Sequence, residues 1–157
     1  MKVSLAITRR PNPLINIGKM RSALDTCLDD SADLIALDLE KPTKTWKTKV
    51  KASIKKLAMA RIIGIDNEIY GYVSKGTRPH IIRAKRAKYL AFGSVYGPKT
   101  TVNSLDSSSG SRGPTDTFRK EVHHPGTDAR NFDKEAAKNA RRVFPDAVRA
   151  AIRKGLR

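Results

Sequence analysis

Two stretches of helical periodicity bracket a long middle segment in which that period is lost, and this bracketing limits the folds open to the chain more than any other feature. From Asn12 to about Glu40 the apolar residues Ile17, Met20, Leu24, Cys27, Leu28, Ile35 and Leu39 recur at steps that place them on one helical face. Pro13 suits the first turn of such a helix and Pro42 stops it. Near the other end, Phe132, Ala136, Ala140, Val143, Ala147 and Ala151 form a second stripe, with Phe144, Val148 and Ile152 beside it. This predicts a C-terminal helix over 131–155, kinked or restarted at Pro145, which lacks a backbone donor and crowds the preceding turn.

In the middle segment the period falls to two. Trp46, Thr48, Val50, Ala52 and Ile54 alternate with Lys47, Lys49, Lys51, Ser53 and Lys55, the pattern of a strand with one buried face and a ladder of lysines on the other. Arg61 to Asp66 and Ile69 to Val73 flank Asp66-Asn67-Glu68, which has turn chemistry, so a hairpin is expected there. His80 to Arg83, Lys88 to Phe92 and Phe118 to His124 supply further short extended runs. The fold class is therefore α+β: one domain over 1–157, with a small antiparallel sheet from 45–92 and 118–124 between helices 12–40 and 131–155. Residues 93–117, including Ser107-Ser108-Ser109-Gly110-Ser111, are short of apolar side chains and are expected to form a flexible insertion loop.

Charge narrows the function classes. The 157 residues carry a formal net charge of +17, an excess that a polyanionic or acidic partner would offset, with a solvated basic face that has no specific partner as the plainer reading. DNA and an acidic protein surface both meet that need. Asp25, Asp29, Asp30, Asp33 and Asp38 gather on the first helix, so the chain also owns one acidic face. Asp29 and Asp33 are its candidate contacts between subunits, because opposite charges on one molecule favour head-to-tail rings. Cys27 alone cannot build a disulfide framework or a cysteine-rich zinc site. Neither a membrane span nor a signal peptide is expected.

Catalytic chemistry finds little material. His80, His123 and His124 are the only histidines, and adjacent strand residues point to opposite faces, so at most one of the last two can join His80. No metal site, cofactor or catalytic residue is expected. A histidine bonded across the turns around it is the simpler reading. Asp116, Glu121, Asp128 and Asp133 lack a nuclease spacing, and the chain has neither a phosphate-binding loop nor a nucleophile elbow.

What stands out instead is a phrase met twice. Gly76-Thr77-Arg78-Pro79-His80-Ile81-Ile82-Arg83 leads to Leu90-Ala91-Phe92, and Val122-His123-His124-Pro125-Gly126-Thr127 leads to Phe132 at the head of the last helix. Gly76 and Gly126 offer positive φ or close backbone approach, with Pro79 and Pro125 fixing the chain beside them. From Lys47 to Phe132 this order resembles the neck and tail-completion proteins of long-tailed bacteriophages. At the helix-to-strand junction, where relatives often carry Thr-Gly, this chain has Pro42-Thr43-Lys44-Thr45.

The resemblance implies a non-enzymatic α+β virion subunit. It would form a homo-oligomeric ring, with six-fold symmetry suspected, at the neck or the head-proximal end of the tail, assembled in the host cytoplasm. Its partners would be tail-terminator, tail-tube or head–tail connector proteins around a DNA channel, without a membrane. Lys47, Lys49, Lys51, Arg83, Lys85, Arg86 and Lys88 are the candidate basic contact surface. The alternative is a small nucleic-acid-binding protein that uses its lysine-rich strand and C-terminal helix on phosphates, although no aromatic platform interleaves with those cations in the sequence.

Overall fold

The structure is a computed structural model that describes residues 16–156. Its frame is a pair of long helices, α1 (Ile17–Glu40) and α3 (Phe132–Gly155). Asn16 caps α1, its side chain accepting from the Lys19 backbone N–H at 2.9 Å. The part of the expected helix before Asn16, including Pro13, lies outside the described residues. A 3-10 turn over Lys41–Thr43, with Pro42 in it, ends α1 where the sequence places the stop.

The helices run antiparallel: Asn139 near the start of α3 donates to Asp38 near the end of α1 at 3.1 Å, and Gly155 at the end of α3 meets Met20. A Cβ at Gly155 would lie 2.5 Å from the Met20 Cα, so the small residue sets how closely the helices approach. Ala136 and Ala151 of α3 are buried, as are Cys27 and Ala32 of α1. The helical span of α3 is continuous through Pro145, so no second helix starts there. Neighbouring turns packed against α1 hold the segment helical despite the missing donor.

Between the helices lie β1 (Ser53–Leu57), β2 (Ala60–Gly64), a short helix α2 (Glu68–Lys75), and six strands of a long two-stranded ribbon. The extended elements thus form several small antiparallel sheets, each of two strands. Two expectations need correcting. The hairpin joins β1 to β2 through Ala58-Met59, with Ile54 opposite Ile63, whereas Ile69 to Val73 belongs to α2. Asn67 is the cap of α2, accepting from the Tyr70 N–H at 2.9 Å, and Tyr70 and Ser74 then fall on one buried face. A helix this short shows too little of its period to stand out from alternation.

Lys47, Lys49 and Lys51 do not form a ladder, because residues 44–52 are irregular. Trp46 N–H donates to Thr43 O at 2.9 Å, and Ala52 N–H donates to the Glu40 carboxylate at 2.9 Å. With Val50 buried, these contacts spend the backbone on the end of α1 rather than on a partner strand.

The ribbon comprises β3 (His80–Arg83) with β8 (Glu121–His124), β4 (Leu90–Phe92) with β7 (Thr117–Arg119), and β5 (Tyr96–Gly97) with β6 (Ser111–Arg112). Bridges at Thr77–Thr127 and Thr100–Ser107 extend it at both ends. The stretch 93–117, expected to be a flexible loop, is therefore the far half of a paired ribbon. Its tip returns to the body: Leu105 is buried, Asn103 N–H donates to Arg130 O at 3.2 Å, and Lys41 pairs with Asp106 at 3.1 Å. One apolar side chain inserted into the body and a paired backbone replace the large apolar surface that the composition lacks.

The main core consists of Leu39, Val50, Tyr70, Leu105, Phe132 and Ala136, flanked by Ile35, Trp46, Ile63, Ile65 and Val73. Phe132 is wholly buried, and its ring centroid lies 5.3 Å from that of Tyr70. Burial, with Asp133 adding to it, pushes the Tyr70 phenol well above its ordinary range. Among the described residues no helix is long and apolar enough to cross a membrane.

Candidate functional site: the neck and crest of the ribbon

The two phrases that the sequence repeats face each other at the root of the ribbon. Thr77 and Thr127 exchange backbone hydrogen bonds at 3.0 and 3.1 Å, and their hydroxyls lie 3.0 Å apart. Gly76 (φ +76°) and Gly126 (φ +90°) both occupy the left-handed region. A Cβ on Gly76 would come within 2.6 Å of Thr127 O, and one on Gly126 would overlap Thr77 O. Each glycine makes room for the threonine carbonyl of the other phrase, so the pair works as a reciprocal lock.

One register step out, His80 stacks on His124, with centroids 5.0 Å apart and planes inclined by 29°. His80 Nδ1 lies 2.9 Å from Arg78 O, and His124 Nδ1 accepts from the Gly126 N–H at 3.0 Å. Each imidazole is thus tied into its own turn. Pro79 and Pro125 stand beside them, while His123 points elsewhere, 3.9 Å from Glu121. Among the described residues no three His, Cys, Asp or Glu side chains converge as metal ligands would.

The remaining signature residues lie away from this lock. Leu90 and Phe92 sit half-buried in β4, and Phe132 is in the core. The root is nevertheless joined to the body through backbone. Arg130 N–H donates to Val73 O at 3.2 Å, Asn131 N–H to Ser74 O at 2.9 Å, and Phe132 N–H to Ser74 Oγ at 3.1 Å. The end of α2 and the start of α3 therefore clamp the chain as it leaves the ribbon.

The seven candidate basic residues divide between two places. Lys47, Lys49 and Lys51 are exposed on the irregular segment before β1. There Lys49 donates to Lys44 O at 2.6 Å, and Lys51 lies 3.6 Å from Glu40. Arg83, Lys85, Arg86 and Lys88 are on the ribbon. Arg83 pairs with Glu121 at 3.1 Å. Beyond it the ladder becomes unequal: residues 84–89 occupy one strand where Lys120 alone fills the other. Residues 85–89 are extruded and exposed at this crest, opposite exposed Lys120 and next to exposed Arg119, the partner of Leu90.

The acidic face is largely committed within the molecule. Arg61 of β2, its side chain only 4% exposed, donates to Asp29 at 2.6 Å and to Asp25 at 2.6 Å, while Lys56 of β1 reaches Asp29 at 2.9 Å. The Arg61 guanidinium, followed by the Lys56 ammonium, holds the Asp29 carboxyl below its ordinary value. Asp29 thus fastens the hairpin to α1, so reversing its charge would disturb folding as well as any contact between subunits. Asp33 is exposed and makes no hydrogen bond or ion pair among the described residues.

Sequence reasoning overlooked Arg61, Arg119 and Lys120. The last two could have been found by aligning the repeated phrases as partners, which sets Arg119 opposite Leu90 and Lys120 opposite the 84–89 run. No family model, curated protein or solved structure matches the chain.

Proposed function

We propose that the chain is a structural subunit of the neck or head-proximal tail end of a long-tailed phage, assembling as a ring and acting by stoichiometric contact rather than catalysis. The observation that carries the assembly part is unspent surface. Large apolar side chains of the described residues stand on the surface rather than in the core.

Leu34 and Leu37 on α1, Ile69 and Tyr72 on α2, and Phe118 on the ribbon are each more than half exposed. Surfaces of this kind mark sites that neighbours cover. The phage assignment rests on the resemblance of the ordered phrases, whose residues here build the root from which the ribbon projects. Tail-terminator, tail-tube or connector proteins are the partners that this reading implies.

Two measurements test it. Native mass spectrometry of the purified protein should give a closed oligomer of one size, with six copies expected. Electron microscopy of particles lacking the protein should show filled heads beside unattached or defective tails. A strict monomer together with normally joined particles would sink the proposal.

A further inference from the structure

We infer that the crest of the ribbon is a DNA-backbone contact, made by Lys85, Arg86 and Lys88 from one strand and Arg119 and Lys120 from the other. The unequal ladder places these groups on the same stretch of the ribbon, and among the described residues none has an ion-pair partner. Arg83 is the neighbouring cation that is already neutralised, by Glu121.

A second copy of the chain is a poor source of countercharge. Asp25, Asp29, Glu40, Asp106 and Glu121 each already face a lysine or arginine of their own chain, and although Asp30, Asp33, Asp66, Glu68 and Asp128 stay exposed, they are too few to offset the cationic excess that each copy carries. Every further copy in an oligomer adds another +17. A polymer of phosphates supplies the missing charge and gains from counterion release at each contact.

The crest also has what the sequence seemed to lack. Tyr89 is exposed beside Lys88, whose Nζ lies 5.7 Å from the ring centroid, and Phe118, opposite Ala91, is 59% exposed. Exposed aromatic faces set among these cations can lie against backbone sugars of a duplex, and would stack on bases only in a single strand. The inference deepens the ring reading, in which DNA passes through the channel, but binding to free duplex is read separately from assembly.

The test is fluorescence anisotropy of a short labelled DNA duplex of mixed sequence over a range of salt concentrations. If all five cations engage phosphates, the log–log slope of affinity against salt is about −4.5. A combined Lys85→Ala, Arg86→Ala, Lys88→Ala variant should make the slope shallower by about 2.7, and Arg119→Ala with Lys120→Ala by about 1.8. Removing equal charge from α3 with Lys134→Ala, Arg142→Ala and Arg153→Ala should leave the slope nearly unchanged. Equal losses from crest and helix would overturn the site, since net charge alone would then explain binding. Displacement of the duplex by poly-glutamate as readily as by unlabelled duplex would also overturn it, in favour of an acidic protein partner. Rings that form without binding duplex would reject this inference and leave the ring reading standing; duplex binding by a monomer would do the reverse.

Discussion

The β1–β2 hairpin and the ribbon are both two-stranded and antiparallel, yet they are held in opposite ways. The hairpin is fastened to α1 by a clamp in which Arg61 and Lys56 meet Asp25 and Asp29. The ribbon is held at its two ends, by the Thr77–Thr127 lock and by Leu105 in the core, while its crest carries exposed residues. In the hairpin opposite charges are matched within the chain. In the ribbon Arg83 meets Glu121, but the crest cations stay unpaired among the described residues, so the first neutralises its charge and the second keeps much of it exposed.

The strongest way to break the comparison is to remove what both depend on. Phe132→Ala, at a wholly buried ring between α3 and α2, should cost about 3–5 kcal/mol in denaturant unfolding and loosen hairpin and ribbon root together. Leu105→Ala should cost about 2–4 kcal/mol. Its hydrogen-exchange signature should be selective, with faster exchange over 96–112 and little change over 53–64. Loss of protection in both regions at once would mean that the ribbon has no separate mode of attachment.

A smaller effect is expected at the lock. Gly126→Ala places a Cβ against Thr77 O at a backbone of φ +90°, and should cost about 1–3 kcal/mol while opening exchange at Thr77 and Thr127 first. The mildest test is acid. Asp29 in the hairpin clamp, next to Arg61 and Lys56, and Asp116 in the ribbon, which accepts from Ser94 and Thr117, are both held below the ordinary carboxyl value of 3.8. A depressed carboxyl stabilises the fold above its unfolded value, and that share is lost as pH falls through the folded value. Melting temperature should therefore decline below about pH 4. Asp29→Asn should flatten the part of that decline tied to residues 53–64, and Asp116→Asn the part tied to 93–119.

Long periodic elements were legible in the sequence because every turn repeats the same evidence. Ile17, Cys27 and Leu39 mark the first helix redundantly, and the alanines at 136, 140, 147 and 151 mark the last. Short elements were not. The Ile69 to Val73 run fits alternation as well as it fits a two-turn helix, and only the side chain of Asn67, seen to cap Tyr70, decides between them. The lysine alternation at 47–51 was real in sequence but had no partner strand, which no local pattern can reveal.

The ribbon was obscured for a different reason: its pairs join residues far apart in the chain. The signature glycines were rightly read as backbone devices, since both have positive φ. That the two phrases lock onto each other was a matter of pairing rather than composition. The acidic face was visible as charge, but its use by Arg61 was hidden, because a lone arginine in a strand gives no sign of where it will reach.

Leu105 also bears on the order of folding. It shares the core with Leu39, Val50 and Phe132, yet it reaches them only after the chain from Thr77 has run out along the ribbon and turned back. Contacts that close so long a loop form late, because the entropy of closure is spent before the contact repays it. The body then seals only when its projecting arm is complete. A subunit with an unfinished ribbon would leave its core open at Leu39, Val50 and Phe132, so under the proposed ring reading competence to assemble would be tied to the final step of folding.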